Sequence, residues 1–135
     1  MKKVTIILEK SDGELYGRIN DAEFLYTTCG NNKNEVEKNL RALIKDFIKH
    51  EGVNSKRWKN IDANQLIFEY VYDLAAFFDT YDTVKITPIA KKAGVNESLL
   101  RQYVTGVKKA SAVQAKKIEM AVHTLGKELS EASIC

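Results

Sequence analysis

Between Asp73 and Ser111 the chain is punctuated by helix caps at intervals that leave room only for a stack of short helices. Asp73, Thr87, Asn96 and Ser111 each offer a side-chain oxygen to the free amides that open a helix. Gly94 and Gly106 stand where helices close in the left-handed conformation that glycine alone adopts without cost. This spacing predicts a helix opening at Asp73 with Leu74, Phe77, Phe78 and Tyr81 on its apolar face. A second runs from Pro88 to Ala93, with Thr87 as N-cap and Pro88 at the favoured first position. A third spans Glu97 to Val104, and a longer one follows the capping box of Ser111 and Gln114, carrying Ile118, Val122, Leu125 and Leu129 on one stripe. Only Val95 separates the Gly94 stop from the Asn96 start, so the second and third helices meet at a steep angle. Ala90 is small where they cross, and Val95, Leu100 and Tyr103 are expected to point inward.

A helix held in this way protrudes, and the major groove is wide enough to admit it. Its outward residues, Glu97, Ser98, Arg101 and Gln102, suit base edges: arginine grips guanine, glutamine pairs with adenine, and glutamate accepts from the cytosine amino group. Thr87 and Asn96, at the two helix starts, are expected at phosphates, and Lys108 and Lys109 after Gly106 are expected to neutralise the flanking backbone. Charge is distributed accordingly. Residues 1–83 hold 12 Lys/Arg against 14 Asp/Glu (−2), whereas residues 84–135 hold 9 against 4 (+5), so the basic excess sits with the helices. The pattern resembles the lambda-repressor/Cro type of helix-turn-helix over roughly residues 73–130. The resemblance implies binding of double-stranded DNA.

The first part of the chain has a different period. Val4 to Glu9 and Leu15 to Ile19 read as a hairpin around Ser11-Asp12-Gly13-Glu14, and a third strand is expected between Phe24 and Cys29. Val36, Leu40, Leu43, Ile44, Phe47 and Ile48 then recur at helical spacing, with Asn34 as N-cap, Glu37 three residues on and Gly52 as the stop. A polar loop from Asn54 to Asn64, anchored by Trp58, leads to a fourth strand over Leu66 to Tyr72. The expected class is α+β: a small antiparallel sheet with a packed helix over residues 1–72, then an all-α domain over 73–135. Phe68, Tyr70, Tyr72, Phe77, Phe78 and Tyr81 are expected as core packing where the lobes meet rather than as a stacking surface for RNA.

The hairpin-led sheet, then Gly30-Asn31-Asn32-Lys33-Asn34-Glu35-Val36, an amphipathic helix and a repressor-like domain together resemble HicB, the antitoxin of HicA/HicB toxin–antitoxin pairs. The resemblance implies a partial RNase H fold that holds a HicA-like toxin and a C-terminal domain that represses the operon. Thr27-Thr28-Cys29-Gly30 departs from the Pro-Gly-Cys that often ends the third strand of that family. A single small module reads few bases, so a homodimer or higher oligomer on a palindromic operator is expected.

Several other classes find no support in the residues. The first strand has no acid in its middle, and Glu9, Asp12 and Glu14 gather at a turn, so the carboxylates that two-metal phosphodiester cleavage requires are missing; no enzyme activity is expected. His50 and His123 have no partner at metal-ligand spacing, and neither a metal nor a cofactor is expected. Cys29 is read as a buried strand thiol and Cys135 as part of a frayed end, neither of them a nucleophile. No apolar run approaches the roughly 18 residues of a membrane span and the opening run is too short for a signal peptide, so the expected location is the cytoplasm, without membrane association. The alternative function, to which acidic Glu97 points, is a protein-interaction adaptor or a stand-alone regulator without a toxin partner.

Overall fold

Strand alternation closes first into a hairpin. β1 (Lys3–Ser11) buries Val4, Ile6 and Leu8, and β2 (Glu14–Ile19) buries Leu15 and Ile19 on the same face, as a period of two requires. Asp12 (φ 50°) and Gly13 (φ 77°) join them, both left-handed, in the two-residue turn whose twist matches that of paired strands. The structure, a computed structural model, describes residues 2–135. β3 (Thr27–Gly30) pairs antiparallel with β2, further along the chain than the expected Phe24 to Cys29. Phe24 is instead a core plug, 1% exposed, with its ring 5.1 Å from Phe47 and 6.2 Å from Trp58.

α1 (Lys33–His50) buries Val36, Leu40, Ile44 and Phe47. Its cap is Asn32, not Asn34: the Asn32 side chain accepts from the Glu35 amide at 2.9 Å. The earlier start brings Lys33 into the first turn, with Nζ 4.0 Å from the centre of the Tyr70 ring, a cation–π contact. Nor is Gly52 a left-handed stop. The helix ends at His50, and Gly52 opens a short 3₁₀ turn, Gly52–Asn54, pressed near the Cβ of Trp58. Trp58 is fully buried, so the expected loop anchor is observed, and Ser55 secures the segment by accepting from the Arg57 and Trp58 amides while donating to Glu23.

β4 (Ile67–Tyr72) lies beside β1 and parallel to it, giving the order β3-β2-β1-β4. The sheet is therefore mixed, which corrects the expectation of a wholly antiparallel one. Alternation fixes which face a residue takes but not the direction of its strand. β3 and β1 run the same way because each is antiparallel to β2, and a helical crossover such as α1 returns the chain to start a strand in that same direction. Phe68, Tyr70 and Tyr72 pack against the core with α1, and the opposite face of the sheet carries Ile7, Tyr16, Arg18, Cys29, Ile67 and Val71.

The fold class is α+β, completed by α2 (Leu74–Thr80), α3 (Ile86–Ala93), α4 (Glu97–Thr105) and α5 (Ala112–Glu131). Two compact units result, one reaching to Ala76 and the other Phe77–Cys135. Asp73 caps α2 as expected, its Oδ1 accepting from the Ala76 amide at 2.7 Å. The buried face of α2 is Ala75, Ala76 and Phe78, while Leu74 and Phe77 are half-buried and Tyr81 is exposed, so the expected face is rotated toward the small residues. On α5 the core positions are Ile118 and Ala121; Val122 and Leu125 are half-buried and Leu129 is 65% exposed, so the expected stripe outruns the core it covers. Among the described residues no helix is long and apolar enough to cross a membrane.

Candidate nucleic-acid interface

The expected site residues lie on α3, α4 and the segment after them, and local rules place these elements. α3 begins at Ile86, with Lys85 in the cap position and no side-chain cap bond. Thr87 is therefore not the N-cap but a first-turn residue, and Pro88 is tolerated because an amide this early in a helix has no intrahelical acceptor. At the other end Gly94 is left-handed (φ 70°), the Val95 amide donates to the Ala90 carbonyl at 2.9 Å, and the Gly94 amide donates to Lys91 at 3.3 Å. This is the six-to-one and five-to-two bonding of a Schellman stop, with buried Val95 supplying its apolar contact.

One residue later Asn96 caps α4, its Oδ1 accepting from the Leu99 amide at 3.1 Å. Leu100 and Tyr103 are buried on α4, Ile89 and Ala90 on α3, and Ile118 and Ala121 on α5, and α3 packs against both of the others. The inward positions expected for Val95, Leu100 and Tyr103 are thus all observed, and Ala90, expected as the small residue at the crossing, is buried as well. Gly106 closes α4 with φ 82°, and Ser111 Oγ accepts from the Gln114 amide to open α5.

With Leu100 and Tyr103 inward, helical periodicity turns Glu97, Ser98, Arg101 and Thr105 outward, and all four are exposed. Gln102 lies at the margin of this face and is half-buried, so it is less available than expected. Thr105 was not singled out by sequence. It sits one heptad after Ser98, a spacing that marks it, although its hydroxyl is turned onto the Gln102 carbonyl at 3.3 Å. Lys108 and Lys109 are exposed and form no ion pair among the described residues, whereas Lys92 on α3 is paired with Glu128 at 2.8 Å.

Arg101 is the best-connected side chain on this face. Its Nη2 donates to Thr87 Oγ1 at 3.2 Å and stands 3.7 Å from Glu97 Oε1. Thr87, expected at a phosphate, thus has its hydroxyl directed at the neighbouring helix. The Asn96 oxygen is likewise committed to its cap.

Cys29 is exposed, which corrects its reading as a buried thiol: strand alternation gives the inner face to Gly30 and turns Cys29 to the open face opposite Tyr16. Its hydrogen bond to Glu14, reinforced by partial desolvation, raises the thiol pKa, which is the wrong direction for a nucleophile. His50 pairs with Asp46 one turn back at 3.4 Å. Glu9 pairs with Arg18 at 3.4 Å, and among the described residues no group of three or more His, Cys, Asp and Glu side chains converges as metal ligands. Comparison with protein-family models, with curated proteins and with solved structures finds no match to this chain.

Proposed function

We propose that the chain is a sequence-specific DNA-binding transcriptional repressor of the HicB-like antitoxin kind. In this reading it is a cytoplasmic homodimer that presents α4 to the major groove of a palindromic operator and holds a HicA-like toxin with its N-terminal lobe. The observation that carries the reading is the outward face of α4, where Ser98 and Arg101 stand exposed on a helix fixed by the Gly94–Val95 turn, with exposed Lys108 and Lys109 just beyond it. A helix of nine residues reaches few base pairs, which is why two copies are invoked. For a protein partner the N-terminal lobe offers its open sheet face, where Ile67 and Val71 are exposed.

The test is a titration of a duplex from upstream of the protein's own reading frame against a scrambled duplex. Tight binding to the first, weakened selectively by Arg101→Ala, supports the reading; equal affinity for both removes it. A protein-interaction adaptor is the second reading, favoured by the Glu97–Arg101 pair, which neutralises the front of α4. That reading expects no affinity for either duplex. A small basic toxin-like product encoded next door would support the antitoxin role, and its absence would leave a stand-alone regulator.

A further inference from the structure

Glu97 is the residue least suited to a DNA-facing helix, since an isolated carboxylate there meets a polyanion. Its position removes the difficulty. It precedes Arg101 by one helical turn, in the orientation that favours an acid–base pair, and its Oε1 lies 3.7 Å from Arg101 Nη2. That same nitrogen is anchored to Thr87 Oγ1 at 3.2 Å, on the neighbouring helix. Nη2 carries a second hydrogen beyond the one given to Thr87, and Nε and Nη1 have no partner among the described residues, so Nη2 with one of these neighbours still forms a parallel pair of donors. The exposed face of α4 therefore presents a donor fork with an acceptor beside it.

In the major groove only one pattern is complementary to two donors followed by an acceptor. Guanine offers N7 and O6 as adjacent acceptors and its paired cytosine offers the N4 amino donor next to them, whereas an A·T pair alternates acceptor, donor, acceptor. Resting on the DNA-reading account above, we propose that Arg101 and Glu97 read a single G·C base pair as one unit, guanine under Arg101 and cytosine under Glu97. Thr87 is the positioning residue that holds the guanidinium for this contact. The carboxylate then exchanges water for a cytosine amino group while remaining beside its cation, so the pair enters the groove without net charge. The arrangement also fixes orientation, because a C·G pair at the same place reverses the order of donors and acceptors.

The experiment starts from duplexes enriched by the full-length protein out of a randomised library. Affinity is then measured for the enriched duplex and its single base-pair substitutions. Arg101→Ala and Glu97→Ala are each expected to lose a preference of roughly 5- to 150-fold for G·C at one and the same position, and the double variant to lose little more than Arg101→Ala alone. Thr87→Val, which keeps the shape but removes the acceptor, should reduce that preference by about threefold to tenfold with the salt slope unchanged, and Thr87→Ser should restore it. Glu97→Gln keeps the side-chain length and an oxygen that can accept from the cytosine amino group, so it should retain more of the G·C preference than Glu97→Ala does, a readout independent of any effect of alanine on the helix. If Arg101→Ala and Glu97→Ala alter different positions, or Glu97→Ala tightens binding to every sequence alike, the inference is overturned while DNA reading by α4 stands. If no duplex is enriched, the DNA-reading account itself fails.

Discussion

Gly94→Ala and Gly126→Ala are the same chemical change, yet the backbone predicts opposite outcomes. Neither glycine has any heavy atom within 4 Å of the place a Cβ would take, so packing does not enter and only conformation decides. Gly94 sits at φ 70° and ψ 32°, where an L side chain costs roughly 1–2 kcal/mol, and the Val95-to-Ala90 bond that turns the chain toward α4 depends on that geometry. Gly126 lies within α5 without a left-handed φ, where glycine costs roughly 0.5–1 kcal/mol relative to alanine. The two variants should therefore differ by about 2 kcal/mol, with Gly94→Ala below the parent and Gly126→Ala above it. For a unit the size of Phe77–Cys135, each kcal/mol moves the thermal midpoint by roughly 4–8 °C. Urea titration followed by circular dichroism gives the difference, and hydrogen exchange at the Leu100 and Tyr103 amides locates it in α4. Gly94→Asn should fall between parent and alanine, since asparagine tolerates the left-handed region. If Gly94→Ala is neutral or stabilising, the turn that orients α4 has been misassigned and the outward face built on it is wrong.

Gly17→Ala should destabilise the sheet unit by about 1–3 kcal/mol, because its Cβ would stand 2.4 Å from Val36 Cγ1; adding Val36→Ala should recover part of the loss, and urea titration followed by Trp58 fluorescence reads both. Hydrogen bonds to Glu37 from the Tyr70 hydroxyl first and Arg41 second hold its carboxyl below the usual range, so its contribution is present above the unfolded carboxylate pKa and is lost as the pH falls through the lowered folded value. Burial first, then Glu37, raises the Tyr70 pKa, and that contribution is lost as the pH climbs from the ordinary tyrosine range toward the raised value. Tyr70→Phe should flatten both ends of the stability profile, and an unchanged acid limb would contradict the assignment. Lys108→Ala should weaken binding to all duplexes alike and reduce the log–log salt slope by about 0.9, and an unaltered slope would rule out a phosphate contact.

Much of the helical stretch after β4 is legible because its caps are local. Asp73, Asn96 and Ser111 act within three residues of themselves, and Gly94 and Gly106 need nothing beyond their own dihedrals. Where two local signals compete, the sequence is less decisive. Thr87 before Pro88 imitates a helix start, but α3 already begins at Ile86 with Lys85 in the cap position, and the freed hydroxyl meets Arg101, a residue distant in sequence that no cap rule considers. Asn32 and Asn34 offer the same cap chemistry two residues apart; the helix starts from Asn32, and this earlier start places Lys33 over the Tyr70 ring, a contact distant in sequence. The direction of β4 depends on which strand becomes its neighbour, which periodicity does not encode, whereas the exposure of Cys29 follows from the register of β3, which gives the inner face to Gly30. Leu129 is on the correct stripe, but the core ends before it, because a pattern along α5 carries no information about how far its partners extend. At the site itself, the sequence identified Glu97 and Arg101 as separate readers; their proximity and the link to Thr87 emerge only from the fold.

Backbone amide chemical-shift mapping on the full-length protein, with an enriched duplex added to equimolar ratio, tests the central claim most directly. The account predicts that the largest changes fall on Glu97 to Gln102 and on Lys108 and Lys109, with the buried amides of Ile118 and Ala121 much less affected. Changes confined to the unit that ends at Ala76, or none at all, would contradict it.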